Sequence, residues 1–413
     1  MKVIMQSARL IWLGIKYFFA WCVLHTTKSK YLKREIILVS EKRREARDNG
    51  YYMFKYLREK KKEEVEAYYV LTKDSADYNK VKTIGNVVDY NSFNHYLLYF
   101  GASCLMYCQT DSTPNEEIRG RARYNFLRRK DQVRVYLTHG ICKDDVESSY
   151  NYRKAGYHIF ICGAKPEYDY YKALYAYPEK NIALTGLCRY DGLADFNVNP
   201  KQILIMPTFR KWLRTSDSAK RVATDEENLM MQESVFFKSY IALLNNDKIV
   251  KFLADNDLTL LFYLHYTIQP YTELFRRHVK NAKVLVCGRE NYDVQELLKT
   301  SSILVTDYSS VAFDFAYMKK PVAYFQFDYE RYRNQHYKEG WFNYERDGLG
   351  PVLYEEGELI KWLLQKAISP TMEAQYLNKI HSFYNYFDDN NSKRVYEAYK
   401  NYKITDEKTN YSH

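Results

Sequence analysis

The sequence predicts two doubly wound α/β domains in tandem. Three observations carry this. The chain has 413 residues, more than one ordinary core accommodates. Short apolar runs rich in β-branched and aromatic residues, bounded by turn residues, recur along it as buried parallel strands do. Amphipathic stretches separate those runs, as in βαβ units. A hydrophobic fraction of 46% beside 27% charged residues suits a folded globular protein rather than a disordered one. The 43 tyrosines, each with an apolar body and a polar tip, point to wet clefts and interfaces.

The chain begins with a segment of another kind. Leu10–Leu24 reads LIWLGIKYFFAWCVL, short for a bilayer span and interrupted by Lys16. Lys2, Arg9 and Lys16 recur at heptad spacing and share one helical face, while Trp12, Phe18, Phe19 and Trp21 occupy much of the rest. Residues 1–30 therefore read as a membrane-interfacial helix, with Lys28, Lys30, Lys33 and Arg34 holding its flank on the cytoplasmic side. The plain alternative is a buried core helix.

The first series of strand candidates comprises EIILVS from Glu35, EAYYVLT from Glu66, CLMYCQ from Cys104, VRVYLTHG from Val133, HIFICG from His158 and IALTG from Ile182. The second comprises ILIM from Ile203, LTLLFYLH from Leu258, AKVLVC from Ala282, SILVTD from Ser302 and PVAYFQ from Pro321. Between them lies DFNVNPKQ, Asp195 to Gln202, polar and proline-containing, which reads as the domain boundary. The expected domains are thus 31–198 and 199–390. Residues 391–413 add a final helix, roughly Ser392 to Tyr402, crossing back to the first domain, and a tail without fixed structure from Thr405 onward. Arg214 to Glu233 lacks strand signals and reads as a mobile loop.

A net charge of +11 draws polyanions: nucleic acid, anionic lipid or phosphate-rich substrates. No RNP, KH, zinc or helix-turn-helix signature appears, which argues against nucleic acid. The seven cysteines are scattered and contain no CxxC pair, so neither a zinc knuckle nor a secreted disulfide framework is indicated, and a reducing cytosol fits.

Polar clusters follow the strand candidates, where open α/β sheets bind ligands. VRVYLTHG ends in Thr138, His139 and Gly140, with Lys143 and Asp144 just beyond. A histidine there titrates near neutrality and can accept a hydroxyl proton, and Gly140 permits a sharp turn; a structural turn-capping histidine is the plainer reading. ILIM runs into Pro207, Thr208, Phe209, Arg210 and Lys211, where a guanidinium fork suits phosphate oxygens. LTLLFYLH brings His265 to a second terminus, to donate to a diphosphate or to a departing phosphate oxygen unless it is a satisfied core histidine. SSILVTDYSSVAFDF is the strongest signal. Thr306, Asp307, Ser309 and Ser310 place hydroxyls and open N–H groups at a helix start, with Asp314 one turn in. Simple N-capping explains one of these serines but not the cluster. Ser392, Lys393 and Arg394 repeat the pattern at the final helix. No DxD-type acidic cluster follows a strand candidate. Cationic side chains are expected to take the place of a metal, and no cofactor is implied.

Together these residues resemble the CDP-glycerol glycerophosphotransferase family, the teichoic-acid primases and polymerases. The matching pattern is His139-Gly140 with Lys143; Pro207-Thr208-x-Arg210; His265; Thr306 to Ser310 followed by Phe313-Asp314; Lys320-Pro321; Asp328 with Tyr332; and Ser392-x-Arg394. Asp48-Asn49-Gly50 looks like an N-terminal segment of the family. Tyr266 and Cys188 stand where the family usually has proline. The resemblance implies a GT-B architecture, two Rossmann-like doubly wound domains facing a central cleft. It implies attachment to the cytoplasmic face of the cell membrane, and transfer of glycerol phosphate or ribitol phosphate from a CDP-alditol with release of CMP, in teichoic-acid or capsular polymer synthesis. His139 and His265 would be catalytic. Thr208, Arg210, Thr306, Asp307, Ser309, Ser310, Asp314, Ser392 and Arg394 would hold the donor, and Lys143 and Asp144 would lie on the acceptor side. The implied partners are CDP-glycerol or CDP-ribitol, a lipid-linked or polymeric acceptor and an anionic membrane surface; self-association into a homo-oligomer stays open. Two rivals keep the composition but change the function: a GT-B glycosyltransferase using a nucleotide sugar, and a catalytically silent membrane-associated binding module.

Overall fold

Apolar runs become strands in two separate parallel sheets. The computed structural model describes residues 2–26, 30–109, 127, 129–214 and 222–410. The first sheet contains β1 (Ile36–Ser40), β2 (Glu66–Leu71), β3 (Val87–Asp89), β4 (Cys104–Tyr107), β5 (Val133–Tyr136), β6 (Ile159–Cys162) and β7 (Ile182–Leu184). Its order is β3-β2-β1-β4-β5-β6-β7, every pair parallel. The second contains β8 (Asn199–Ile205), β9 (Thr259–Tyr263), β10 (Val284–Cys287), β11 (Ser301–Thr306), β12 (Val322–Phe325) and β13 (Val352–Leu353), in the order β10-β9-β8-β11-β12-β13, again all parallel. Both orders reverse direction beside their first strand, at β1/β4 and β8/β11. These are the topological switch points at which such sheets open a crevice beyond the strand ends.

The chain divides into two compact units. The first comprises Met1–Ile141, Glu147–Gly192 and Asp388–His413, and the second Cys142–Val146 and Leu193–Phe387. In the first unit, Ile37, Val39, Met53, Phe54 and Leu57 share a buried cluster with Val395, Tyr396 and Tyr399 of the helix Asn391–Asn410. The Tyr399 hydroxyl donates to Glu35 at 2.9 Å and the Tyr396 hydroxyl to Glu64 at 3.0 Å. The last helix is therefore part of this unit's core, and its backbone is helical through Asn410, not unstructured from Thr405. In the second unit, Ile203, Ile205, Phe262, Ile303 and Val305 pack with Phe236, Tyr240 and Leu359.

Other expectations need amendment. β8 begins at Asn199, inside the stretch read as a linker; Pro200 is tolerated there because the first residues of that strand are exposed. A helix, Asp225–Glu233, occupies the end of the segment read as a mobile loop, closed by a capping box between Thr224 and Glu227; residues 215–221 lie outside the described ones. Much of the tyrosine excess fills cores rather than wet clefts: Tyr69, Tyr136, Tyr171, Tyr240 and Tyr324 are fully buried.

The first helix spans Lys2–Thr26. Tyr17, Ala20 and Leu24 are buried. Tyr17 packs on Tyr96 and Phe100 of the helix Phe93–Gly101, at centroid distances of 5.5 and 5.0 Å. Ile11, Trp12, Ile15, Phe18 and Phe19 are each more than half exposed. At about 3.6 residues per turn they fall on one arc, opposite the buried face. Lys16 sits 5.0 Å over the Trp12 ring; the side chains of Lys2 and Arg9 lie outside the described residues. Among the described residues, no helix is long and apolar enough to cross a membrane.

Candidate functional site

In the first unit the functional geometry is a strained turn after β5. Thr138 has φ +53° and Gly140 φ +156°. A β-branched residue at positive φ costs roughly 1–3 kcal/mol and persists only where its surroundings fix it. Two side chains do so here. Asn49 is fully buried and donates from Nδ2 to the carbonyls of Leu137 (3.2 Å) and Thr138 (2.8 Å). Its Oδ1 accepts the backbone N–H of Arg189 (3.0 Å). Arg189 in turn donates from Nη1 to the His139 carbonyl (2.8 Å) and to Asp48 (2.7 Å). The Thr138 hydroxyl closes the turn on the Gly140 carbonyl at 2.8 Å. The His139 ring is left exposed. Desolvation by the surrounding protein lowers its pKa below the usual histidine value; Arg189 and Lys42 add to the shift and Asp48 opposes it. An exposed imidazole that stays neutral near pH 7 can accept a proton.

Beneath this turn lies the Asp48-Asn49-Gly50 segment. Glu41, just past β1, accepts the backbone N–H groups of Arg47 (2.9 Å), Asp48 (2.9 Å) and Tyr51 (2.7 Å). A Cβ at Gly50 would stand 2.8 Å from Glu41 Cγ and 3.0 Å from the Ser40 carbonyl, so the approach requires glycine. Sequence reasoning did not single out Glu41 or the role of Asn49; the glycine was the available signal.

In the second unit, loops after β8 and β11 meet at the switch point. Asp307 Oδ1 accepts the backbone N–H of Thr208 (2.8 Å) and of Tyr308 (2.6 Å). The Thr306 hydroxyl donates to the Met206 carbonyl at 2.6 Å. Arg210 is fully buried. It engages Asp328 through Nε (2.7 Å) and Nη2 (2.9 Å), and Nη1 lies 2.9 Å from Asp307 and donates to the Thr208 carbonyl at 2.7 Å. The fork thus faces protein carboxylates rather than solvent. Burial disfavours its charge, but Asp307 and Asp328 outweigh burial and raise its pKa. The guanidinium also lies 5.1 Å from the centroids of Tyr308 and Tyr332, which stack at 3.6 Å. Asp328 lines a cavity of about 650 Å³ with Trp212, Phe236, Phe327 and Tyr354.

His265 follows β9, half-buried, and stacks on Phe209 at 4.9 Å. Its Nδ1 accepts the N–H of Thr267 at 3.2 Å. Ser309 and Ser310 are half-buried before the helix Val311–Tyr317, inside which Asp314 is buried. Lys143 and Asp144 pair with each other, and Asp144 also meets Arg333 at 2.9 Å. Burial pushes the Asp144 carboxyl up, but Lys143 and Arg333 hold it below the ordinary carboxylate value. Both residues belong to the second unit, not to the 31–198 domain in which sequence reading placed them.

Ser392 and Arg394 belong instead to the first unit. The Asp191 carboxylate accepts the N–H groups of Asn391 (2.7 Å) and Ser392 (2.9 Å), so a protein anion already occupies that helix start. Arg394 binds Asp388 (2.8 and 3.0 Å), the Thr185 carbonyl (2.8 Å) and Asn391 Oδ1 (2.8 Å). The second unit thus gathers Thr208, Arg210, Thr306, Asp307, Ser309 and Ser310 at neighbouring strand ends, with His265 joined to them through Phe209.

Residues 22–400 match the sequence model of the CDP-glycerol:poly(glycerophosphate) glycerophosphotransferase family. The chain belongs to this family. A relative is the minor teichoic acid biosynthesis protein GgaB of Bacillus subtilis (strain 168), 33% identical over 384 residues, which cover 91% of this chain and 41% of the relative. A teichoic acid poly(glycerol phosphate) polymerase of Staphylococcus epidermidis is 35% identical over 144 residues, 34% of this chain and 18% of that protein. The chain spans less than half the length of these relatives. Among solved structures, a variant of the wall teichoic acid polymerase TagF aligns with a TM-score of 0.65 at 20% identity, covering 100% of this chain and 98% of that one. At that identity the likeness is one of fold.

Proposed function

We propose that this family member transfers glycerol phosphate or ribitol phosphate from a CDP-alditol to a hydroxyl of a lipid-linked or polymeric acceptor in teichoic-acid synthesis. The observation that carries this reading is the family match over residues 22–400, to which the turn that exposes His139 adds a proton acceptor. The His139 imidazole takes the proton of the acceptor hydroxyl. The hydroxyl oxygen bonds to the alditol-bearing phosphorus, the bond from that phosphorus to CMP breaks, and CMP leaves. Phosphoryl transfer depends largely on positioning and charge stabilisation. Thr208, Ser309, Ser310 and His265 contact the donor phosphates. Arg210 acts through Asp307 and Asp328, holding the loops that carry those groups.

Incubation with CDP-glycerol, CDP-ribitol and UDP-sugars in the presence of lipid-linked acceptors, scored by nucleotide release and product mass, tests the reading. Release of CMP with a product heavier by one alditol phosphate is expected. Turnover of UDP-sugars alone, or retention of CDP-glycerol without turnover, would replace it with one of the rivals.

The exposed arc of the first helix supports attachment at the cytoplasmic membrane face. Each aromatic buried in the interface contributes roughly 1.5–3 kcal/mol. Replacing Trp12 and Phe18 together by serine is expected to lower co-sedimentation with phosphatidylglycerol vesicles at least about tenfold, with the unfolding curve unchanged. Unaltered sedimentation would leave that face without a membrane role.

A further inference from the structure

We propose that His336 is a further donor-binding residue, a neutral histidine that donates its Nε2 proton to a phosphate oxygen of the nucleoside diphosphate. The inference rests on the donor site proposed above. His336 lies just past the helix Tyr329–Gln335, after β12, and is buried. Its Nδ1 accepts the backbone N–H of Lys211 at 3.2 Å, and the Lys211 ammonium donates to the His336 carbonyl. A neutral imidazole whose Nδ1 accepts must carry its proton on Nε2. That Nε2 is buried without a hydrogen-bond partner among the described residues. An orphaned donor of this kind calls for an acceptor that arrives from outside the fold.

The surroundings fix both the charge state and the direction of the ring. Desolvation, with Lys211 and Arg210 adding and Asp144 opposing, pulls its pKa down to about 3, so the ring stays uncharged at any working pH. It stacks on Tyr332 at 4.6 Å and meets Phe209 edge-on at 4.8 Å. Phe209 stacks on His265, which places His336 one ring away from the second histidine of the candidate site. Thr208, next to Phe209 in the chain, is also buried, and its hydroxyl likewise has no partner among the described residues. Two unsatisfied polar groups linked through Phe209, with the exposed cation Lys211 beside them, suit an anionic oxygen better than an apolar ligand.

The test uses the full chain and CDP as the probe, with wild type, His336→Phe and His336→Gln. A hydrogen bond to a charged acceptor is worth about ten- to a hundredfold in affinity. His336→Phe keeps the ring stacking and loses the donor, so CDP affinity measured by calorimetry is expected to fall by that factor. His336→Gln keeps an N–H at similar reach and is expected to stay within about threefold of wild type. With CDP-glycerol, the His336→Phe deficit should fall on KM more than on kcat. Unchanged CDP affinity in a folded His336→Phe variant, or equal losses in both variants, overturns the assignment. If wild type binds CDP yet releases no CMP from CDP-glycerol, the proposed reaction falls while the comparison of variants still stands. If wild type binds no CDP, both fall.

Discussion

Replacing His139 by alanine is expected to lower CMP release from the CDP-alditol at least about a hundredfold, with the unfolding midpoint unchanged. The fold should tolerate the change because the ring is exposed and the turn is held by its backbone: Asn49 grips the carbonyls on one side and Arg189 the His139 carbonyl itself. Neither contact involves the imidazole. Catalysis should not tolerate it, because no other side chain on that turn can take a proton near neutrality. The pH dependence has a definite sign. A general base works unprotonated, so kcat/KM should rise with pH and level off once the ring is neutral. Desolvation, helped by Arg189 and Lys42, lowers the His139 pKa, which places that rising limb below the ordinary histidine value of 6.5. Near-normal turnover in a folded His139→Ala protein would remove the base from the mechanism. A limb lying well above 6.5 would assign it to another group.

Strand ends were legible in the sequence because buried parallel strands are continuous apolar runs, and the residue after each run is then placed at the ligand-binding edge. That logic puts His139, Thr208, His265 and Thr306 at or just past strand ends, where they stand. It missed β3 and β13, three and two residues long, because VVD and VL are too short to stand out from loop sequence. Partnerships were less legible than positions. Arg210 and Asp328 are 118 residues apart, and Asn49 and Thr138 are 89 apart. Periodicity fixes which end of a strand a side chain occupies but not which carboxylate or carbonyl faces it. Arg210 was therefore read as open to phosphate, where two aspartates already take its donors. The start of the last helix was misjudged for the same reason: Asp191, two hundred residues earlier, supplies its anion. Lys143 and Asp144 follow His139 closely in the chain, yet an antiparallel bridge from Asp144 to Glu339 ties them to the second unit.

Arg210→Met is expected to destabilise the second unit by about 3–5 kcal/mol, because removing one partner of a buried ion cluster strands the charges left behind. The residue is fully buried, and its loss would leave Asp307 and Asp328 without their cation. The consequence for function follows from where Asp307 is attached. Its Oδ1 holds the Thr208 and Tyr308 N–H groups at once and so fixes the loop after β8 against the loop after β11. Donor binding should therefore weaken even where the variant remains folded. Pairing the change with Asp328→Asn separates the two effects. If Arg210 serves chiefly to neutralise these carboxylates, the double variant should lose less stability in urea than the sum of the single losses. Strict additivity, or a loss below about 1 kcal/mol for Arg210→Met, would mean that the cluster is not what holds the loops together. A folded Arg210→Met protein whose KM for the donor is unchanged would place the phosphate grip entirely on the hydroxyls and histidines around it.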